Sequence, residues 1–168
     1  MIETPRLTLR PMTLDDLDAM QAFLSDPETL TFWERPYTDE ETRGAIERNI
    51  KSYAEYGFGR WAVILKETGD LIGICGIVRL EVDDREINDL GYIFDKAYWG
   101  KRYATEAAQA VADYALETLK LDSVTANMPW DHDASRRVAE HVGMTKVGEF
   151  RNPRNRGIRT FLYELRRT

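Results

Sequence analysis

The residues from Trp99 to Thr105, W-G-K-R-Y-A-T, have types and spacing that imply chemistry. They join a short apolar and aromatic run, Leu90–Phe94, to a stretch in which Ala104, Ala107, Ala108, Val111, Ala115 and Leu119 recur at helical spacing. The first N–H groups of a helix have no intrahelical partner and lie at the positive end of its dipole. A phosphate over Gly100–Ala104 would satisfy several of them at once, with Lys101 and Arg102 as cations beside it. An ordinary strand-to-helix joint with a solvated Lys-Arg pair fits these residues equally well. The single cysteine, Cys75, sits in an apolar strand-like run and reads as a buried, inert thiol. With two histidines and one cysteine, no metal site is expected.

The elements around that joint follow from pattern. Arg6–Arg10 alternates like a strand, and Thr13-Leu-Asp-Asp opens a first helix that Asp26-Pro27 ends. Thr31–Tyr37 is a loop dense in aromatics, Phe32, Trp33 and Tyr37, with Arg35 beside them. Thr38 with Glu41 is a capping box for a second helix, stopped at Gly57. Trp61–Leu65 and Leu71–Leu80 are strands around a Glu67-Thr-Gly-Asp turn. Glu81–Glu86 reads as an acidic link before a fourth strand, Ile87–Phe94. The Ala-rich third helix has a narrow face that can lie close to a sheet. Val124–Met128 is a fifth strand, and a short helix beginning at Asp133 or Ser135 closes at Gly143. Thr145–Arg151 and Thr160–Leu165 form a last hairpin. Seven strands and four helices, interleaved in both halves, predict a mixed α/β or α+β fold.

At 168 residues one domain, 1–168, is the default. Hydrophobic content of 43% and charged content of 31% are those of a soluble globular protein. A net charge of −6 argues against nucleic-acid binding by bulk electrostatics. The N-terminus lacks an apolar signal core and no run approaches a membrane span. With one cysteine, a reducing cytoplasm is expected. The last 18 residues carry six arginines against Glu164, read as a solvated hairpin or as a face toward an acidic acceptor.

W-G-K-R-Y-A-T-E-A resembles the acetyl-CoA pyrophosphate loop of the GNAT N-acetyltransferase superfamily, in its RimJ/RimL-type branch. So do E-T-P-R-L-T-L-R-P-M-T-L-D-D at the start, D-L-G-Y-I-F in the fourth strand and D-A-S-R-R-V-A-E-H-V-G-M near the end, in the right order. The resemblance implies a mostly antiparallel sheet splayed between strands four and five. It also implies acetyl transfer from acetyl-CoA to a primary amine by direct attack in a ternary complex, the amine being a protein N-terminus or a small molecule. A non-catalytic CoA-binding or regulatory module of the same fold is the alternative. Homodimerisation is left open, and no membrane, nucleic-acid or metal partner is implied.

That reaction needs particular groups. The diphosphate falls to Trp99, Gly100, Lys101, Arg102, Tyr103, Ala104 and Thr105. The pantetheine arm can pair with the open strand edge, with main-chain contacts expected at Ile93 and Phe94 and a further contact at His132, where the branch has asparagine. An ammonium must lose its proton before attack. Asp89, where the family often has glutamate, is the first candidate base, or else a solvated strand end; Glu86 is a second candidate. Glu106 is better explained by the helix dipole. The last-helix tyrosine acid of many members is replaced by Ala139, so Ser135 is the group expected at the leaving sulfur, or else a helix cap. Phe32, Trp33, Tyr37 and Tyr92 are candidate acceptor contacts. Arg102 stands where the branch has glycine, which is costly if the position needs positive φ.

Overall fold

Helical and alternating patterns resolve, in the computed structural model covering residues 1–168, into eight strands and four α-helices. In chain order these are β1 (Ile2–Glu3), β2 (Leu7–Arg10), α1 (Leu17–Leu24), α2 (Asp39–Tyr56), β3 (Arg60–Leu65), β4 (Leu71–Val82), β5 (Arg85–Phe94), α3 (Tyr103–Asp113), β6 (Ser123–Pro129), α4 (Asp133–Val142), β7 (Thr145–Asn152) and β8 (Ile158–Arg166). The capping box of α2 forms: the Thr38 hydroxyl accepts from the Glu41 N–H, and the Glu41 carboxylate accepts from the Thr38 N–H. Gly143, at φ 100°, ends α4 in the left-handed region that glycine alone enters without strain. No helix is long and apolar enough to cross a membrane.

One sheet runs in the order β1-β2-β3-β4-β5-β6-β8-β7. Every pairing is antiparallel except β5 with β6, which is parallel and registers only at Asp89↔Thr125. Beyond that pair the two strands part, so β5 has a free edge from Leu90 to Phe94. These are the fourth and fifth strands of the sequence reading, and the splay lies where it was expected.

Two expectations need correction. The sheet has eight strands, because Ile2–Glu3 adds a short edge to β2. The acidic stretch Glu81–Glu86 is no link. It continues both strands around a tight turn at Asp83 and Asp84, with φ of 49° and 60°, and aspartate tolerates that region better than most residues.

The sheet has a covered face on each side. On one, Ala107, Ala108, Val111, Ala112 and Ala115 of α3 pack against Trp61, Cys75, Ile77 and Leu90. Small side chains let the helix approach closely, as its composition predicts. On the other, Met20, Leu24 and Ile46 of α1 and α2 cover Ala62, Ile74 and Ile93.

Candidate active site

Cys75 is fully buried, and burial pushes its thiol up to about 12, as an inert core group requires. The chemistry-bearing groups gather instead at the split between β5 and β6. Two adjoining cavities, of about 840 and 310 Å³, share Phe32, Trp33, Tyr92, His132, Ser135 and Val138. The larger opens onto the joint between β5 and α3, and the smaller is lined from both faces of the split, by Ala108, Ala139 and Val142 as well as by Arg60, Asp89 and Arg154.

At the joint, the chain turns at Gly100 (φ 80°) and again at Arg102 (φ 64°), the N-cap of α3. The Glu106 N–H is the first to bond back, to the Arg102 carbonyl. The N–H groups of Gly100 through Thr105 donate to no group of the chain. Six consecutive free donors at a helix N-terminus make an anion site. Trp99, Gly100, Arg102, Tyr103, Ala104 and Thr105 line the larger cavity, but Lys101 is exposed and does not. The Tyr103 ring is buried beneath the Arg6 guanidinium, 4.4 Å away, which leaves its main chain for the cavity. Glu106 accepts from the Thr4 hydroxyl and from Arg6, fastening the N-terminal segment to the first turn of α3.

The sheet register decides which main-chain groups face the gap. Asp95 donates to the Ile72 carbonyl, so odd-numbered positions of β5 bond to β4 and even-numbered ones point toward β6. The Thr125 hydroxyl on the Asn88 carbonyl and the Trp99 indole on the Phe94 carbonyl obey this parity. The expected main-chain contact at Ile93 is therefore corrected: its N–H and carbonyl belong to the ladder with β4. Tyr92 and Phe94 present their N–H groups to the gap.

Asp89 is only 3% exposed, so it is no solvated strand end. Its carboxylate accepts from Thr125 Oγ1 at 3.1 Å and Asn127 Nδ2 at 2.8 Å. Burial raises it from 3.8 to about 6, against the pull of those two hydrogen bonds and of the Arg60 guanidinium. Glu86 is exposed, paired with Arg79 and outside both cavities. Arg35 is likewise tied to Glu41, away from Phe32 and Trp33.

Ser135 lies in the first turn of α4, but the cap is the imidazole of His132, which accepts from the Ser135 N–H at 3.4 Å. Its hydroxyl is left to face both cavities and accepts from the Tyr92 hydroxyl at 3.4 Å. Burial lowers His132 to about 4, so the ring is neutral near pH 7. With Nδ1 accepting, Nε2 carries the hydrogen. Phe32 stacks on this imidazole, ring centres 3.7 Å apart. Trp33 and Tyr37 pack at the edge of the α1/α2 core and also line the smaller cavity, so the aromatic loop is both packing and wall.

Sequence reasoning missed Arg60, Thr125, Asn127 and Arg154, which surround Asp89. Alternation in S-V-T-A-N-M was available as a signal. Val124, Ala126 and Met128 face the core under α3, which puts Thr125 and Asn127 on the other side. Of the C-terminal arginines, Arg154 lines the smaller cavity, while Arg159, Arg166 and Arg167 pair with Glu149, Glu164 and Asp122.

Comparison with known proteins bears on this geometry. A family model described as "Acetyltransferase (GNAT) domain" matches residues 6–145. The chain is 33% identical to the uncharacterized protein YkkB of Bacillus subtilis (strain 168), over 84% of this chain and 83% of that one. Among solved structures it is 30% identical to the acetyltransferase from Agrobacterium tumefaciens str. C58, with a TM-score of 0.82 over 99% of this chain and 94% of the other. The fold also matches RimL, a ribosomal L7/L12 alpha-N-protein acetyltransferase solved in complex with coenzyme A, with a TM-score of 0.81, 16% identity and coverage of 98% and 96%.

Proposed function

The chain belongs to the GNAT acetyltransferase family, and on that premise we propose that it moves an acetyl group from acetyl-CoA to a primary amine held at the β5–β6 split. The residues fit the cofactor: free amides from Gly100 to Thr105 for the diphosphate, an unpaired strand edge for the pantetheine amides, and a cavity of about 840 Å³ joining the two. Arg102 lines the same cavity and adds a guanidinium for phosphate oxygens. The His132 Nε2–H supplies a donor to the arm, as the asparagine of related sequences would.

Acetyl-CoA supplies an acetyl group activated as a thioester. Asp89, poised at about 6, takes the proton that the attacking ammonium must lose. The field of Arg60 and Arg154, which also acts on Asp89, favours the neutral amine. Tyr92 presents its N–H to the oxygen on which negative charge develops, and a fixed main-chain donor there lowers the barrier. Ser135 orients the leaving sulfur, with the Tyr92 hydroxyl behind it as the source of the hydrogen bond. This pair stands in for the last-helix tyrosine, whose position is filled by the buried Ala139.

The observation that carries this reading is the wall the two cavities share: Phe32, Tyr92, His132 and Ser135 line both the one at the anion-binding joint and the one around the buried carboxylate. Thiol release from acetyl-CoA, with a panel of small amines and peptides and mass detection of the acetylated product, tests it. Acetylated amine at a rate well above the acceptor-free background is expected. Coenzyme A binding without product from any acceptor would reduce the chain to a CoA-binding module.

A further inference from the structure

The smaller cavity holds a cation that the fold leaves without a partner. Arg60 begins β3, and across the sheet its register partners are Gly76 on β4 and then Gly91 on β5. Directly paired residues share a face, so all three sit on the α1/α2 side with Asp89. Gly76 lets the β3 backbone close on β4, and Gly91 leaves room for the tip of the arginine. A Cβ on Gly76 would lie 2.5 Å from the Arg60 Cα, and one on Gly91 would lie 2.7 Å from Arg60 Nη2. The side chain therefore lies flat over two strands and delivers its guanidinium beside β5. No hydrogen bond or ion pair of the chain engages that group, and its Nε is buried with no partner. Guanidinium groups so placed are normally paired with an anion.

Arg154 lines the same cavity from the β7–β8 loop, held by its hydrogen bond to the Glu81 carbonyl. That loop is tied over the cavity by Asn155, which donates to the Phe32 carbonyl at 2.8 Å. Asp89 is the one acidic residue in the same wall. Both arginines act on it through space, while its carboxylate accepts from Thr125 and Asn127. The cavity wall thus carries one carboxylate and two guanidinium-bearing side chains.

Resting on acetyl transfer as proposed above, we infer that the acceptor is a small aminocarboxylate, its amine at Asp89 and its carboxylate on the Arg60 guanidinium with Arg154 beside it. The charges match in sign and order, and a planar fork suits a carboxylate bidentately. At about 310 Å³ the cavity is at the small end for ligand sites, which favours a free amino acid over a peptide.

The test compares amino acids with their decarboxylated twins, and with peptides carrying an acidic residue, in acetyl-CoA turnover. It also uses calorimetric titration of amino acids into CoA-loaded protein. The inference expects free amino acids to outcompete their twins, and Arg60→Met to raise KM for the amino acid by about 10- to 100-fold relative to the twin, beyond any fall in kcat that both share through Asp89. Arg60→Lys should recover part of that loss. Gly91→Ala, whose added methyl meets only the flexible end of Arg60, should mimic Arg60→Met in a folded protein. Equal turnover of twins and amino acids, with Arg60→Met indifferent, overturns the inference and leaves acetyl transfer standing. Preference for acidic peptides alone also overturns it. If nothing is acetylated, calorimetric binding of amino acids that Arg60→Met abolishes still supports the carboxylate site, and no binding at all rejects it.

Discussion

In the proposed reaction the physical demands of catalysis and of stability pull in opposite directions at Asp89. A base near neutrality must be partly desolvated, and desolvation disfavours the charged form that does the work. The rise from 3.8 to about 6 corresponds to about 3 kcal/mol against folding once the group is ionised. The folded value lies above the unfolded one, so the protonated carboxyl favours the fold. That contribution is complete below 3.8 and is lost as pH rises through about 6. Asp89→Asn, read by thermal melts, is therefore expected to stabilise the protein at pH 7 by about 1–2 kcal/mol, since the amide gives up one acceptor, and to gain nothing below pH 4. Its turnover should fall, and the acid limb near pH 6 in the wild-type pH–rate profile should disappear; a limb that persists would relieve Asp89 of the base role. Arg102 is a second residue under tension. At φ 64° it occupies the left-handed region at a cost of about 1–2 kcal/mol. Arg102→Gly should raise stability by about 1 kcal/mol in denaturant melts yet, on the proposed reading, weaken coenzyme A binding through loss of a cation at the cavity wall. A variant that gains stability and keeps full affinity would show that the arginine makes no phosphate contact.

At the scale of elements, β4 is the strand with least tolerance. Gly76 faces the Gly59 carbonyl at 2.1 Å from where a Cβ would stand, and backbone cannot yield as a side-chain tip can. Gly76→Ala is expected to cost about 3 kcal/mol or more, seen as insoluble or strongly destabilised protein, whereas Gly91→Ala should fold. Comparable melting temperatures for the two would contradict the close approach of β3 and β4 there. The α2 N-terminus sets the aromatic loop in place through its capping box. Thr38→Ala should lower stability by about 1 kcal/mol, with Phe32 and Trp33 loosened over the cavity mouth.

At the scale of the molecule, the split sheet converts cofactor binding into stability. Coenzyme A at a hundredfold excess over its Kd should add about 2.7 kcal/mol, and for 168 residues raise the melting temperature by about 5–10 °C. A melting temperature unmoved by millimolar coenzyme A would reject the site between β5 and β6. The sequence by itself determined what local chemistry determines. Thr38 with Glu41, Gly143 and the Ala-rich face of α3 fix caps and contacts within a few residues of themselves. The W-G-K-R-Y-A-T joint is legible as a strand-to-helix joint because strand, turn and helix start are adjacent in the chain, and the fold adds that its amides are free. Apolar runs, alternation and turn signals marked seven of the eight strands and missed only the pair of residues too short to show a pattern. Only the tertiary structure decided which amides of β5 face the gap, because register depends on the partner strand. It alone brought Arg60 over Gly76 and Gly91, and Asn127 and Arg154 around Asp89. These groups come from four strands and a loop, and the burial that tunes the carboxyl exists only once those segments have packed around it.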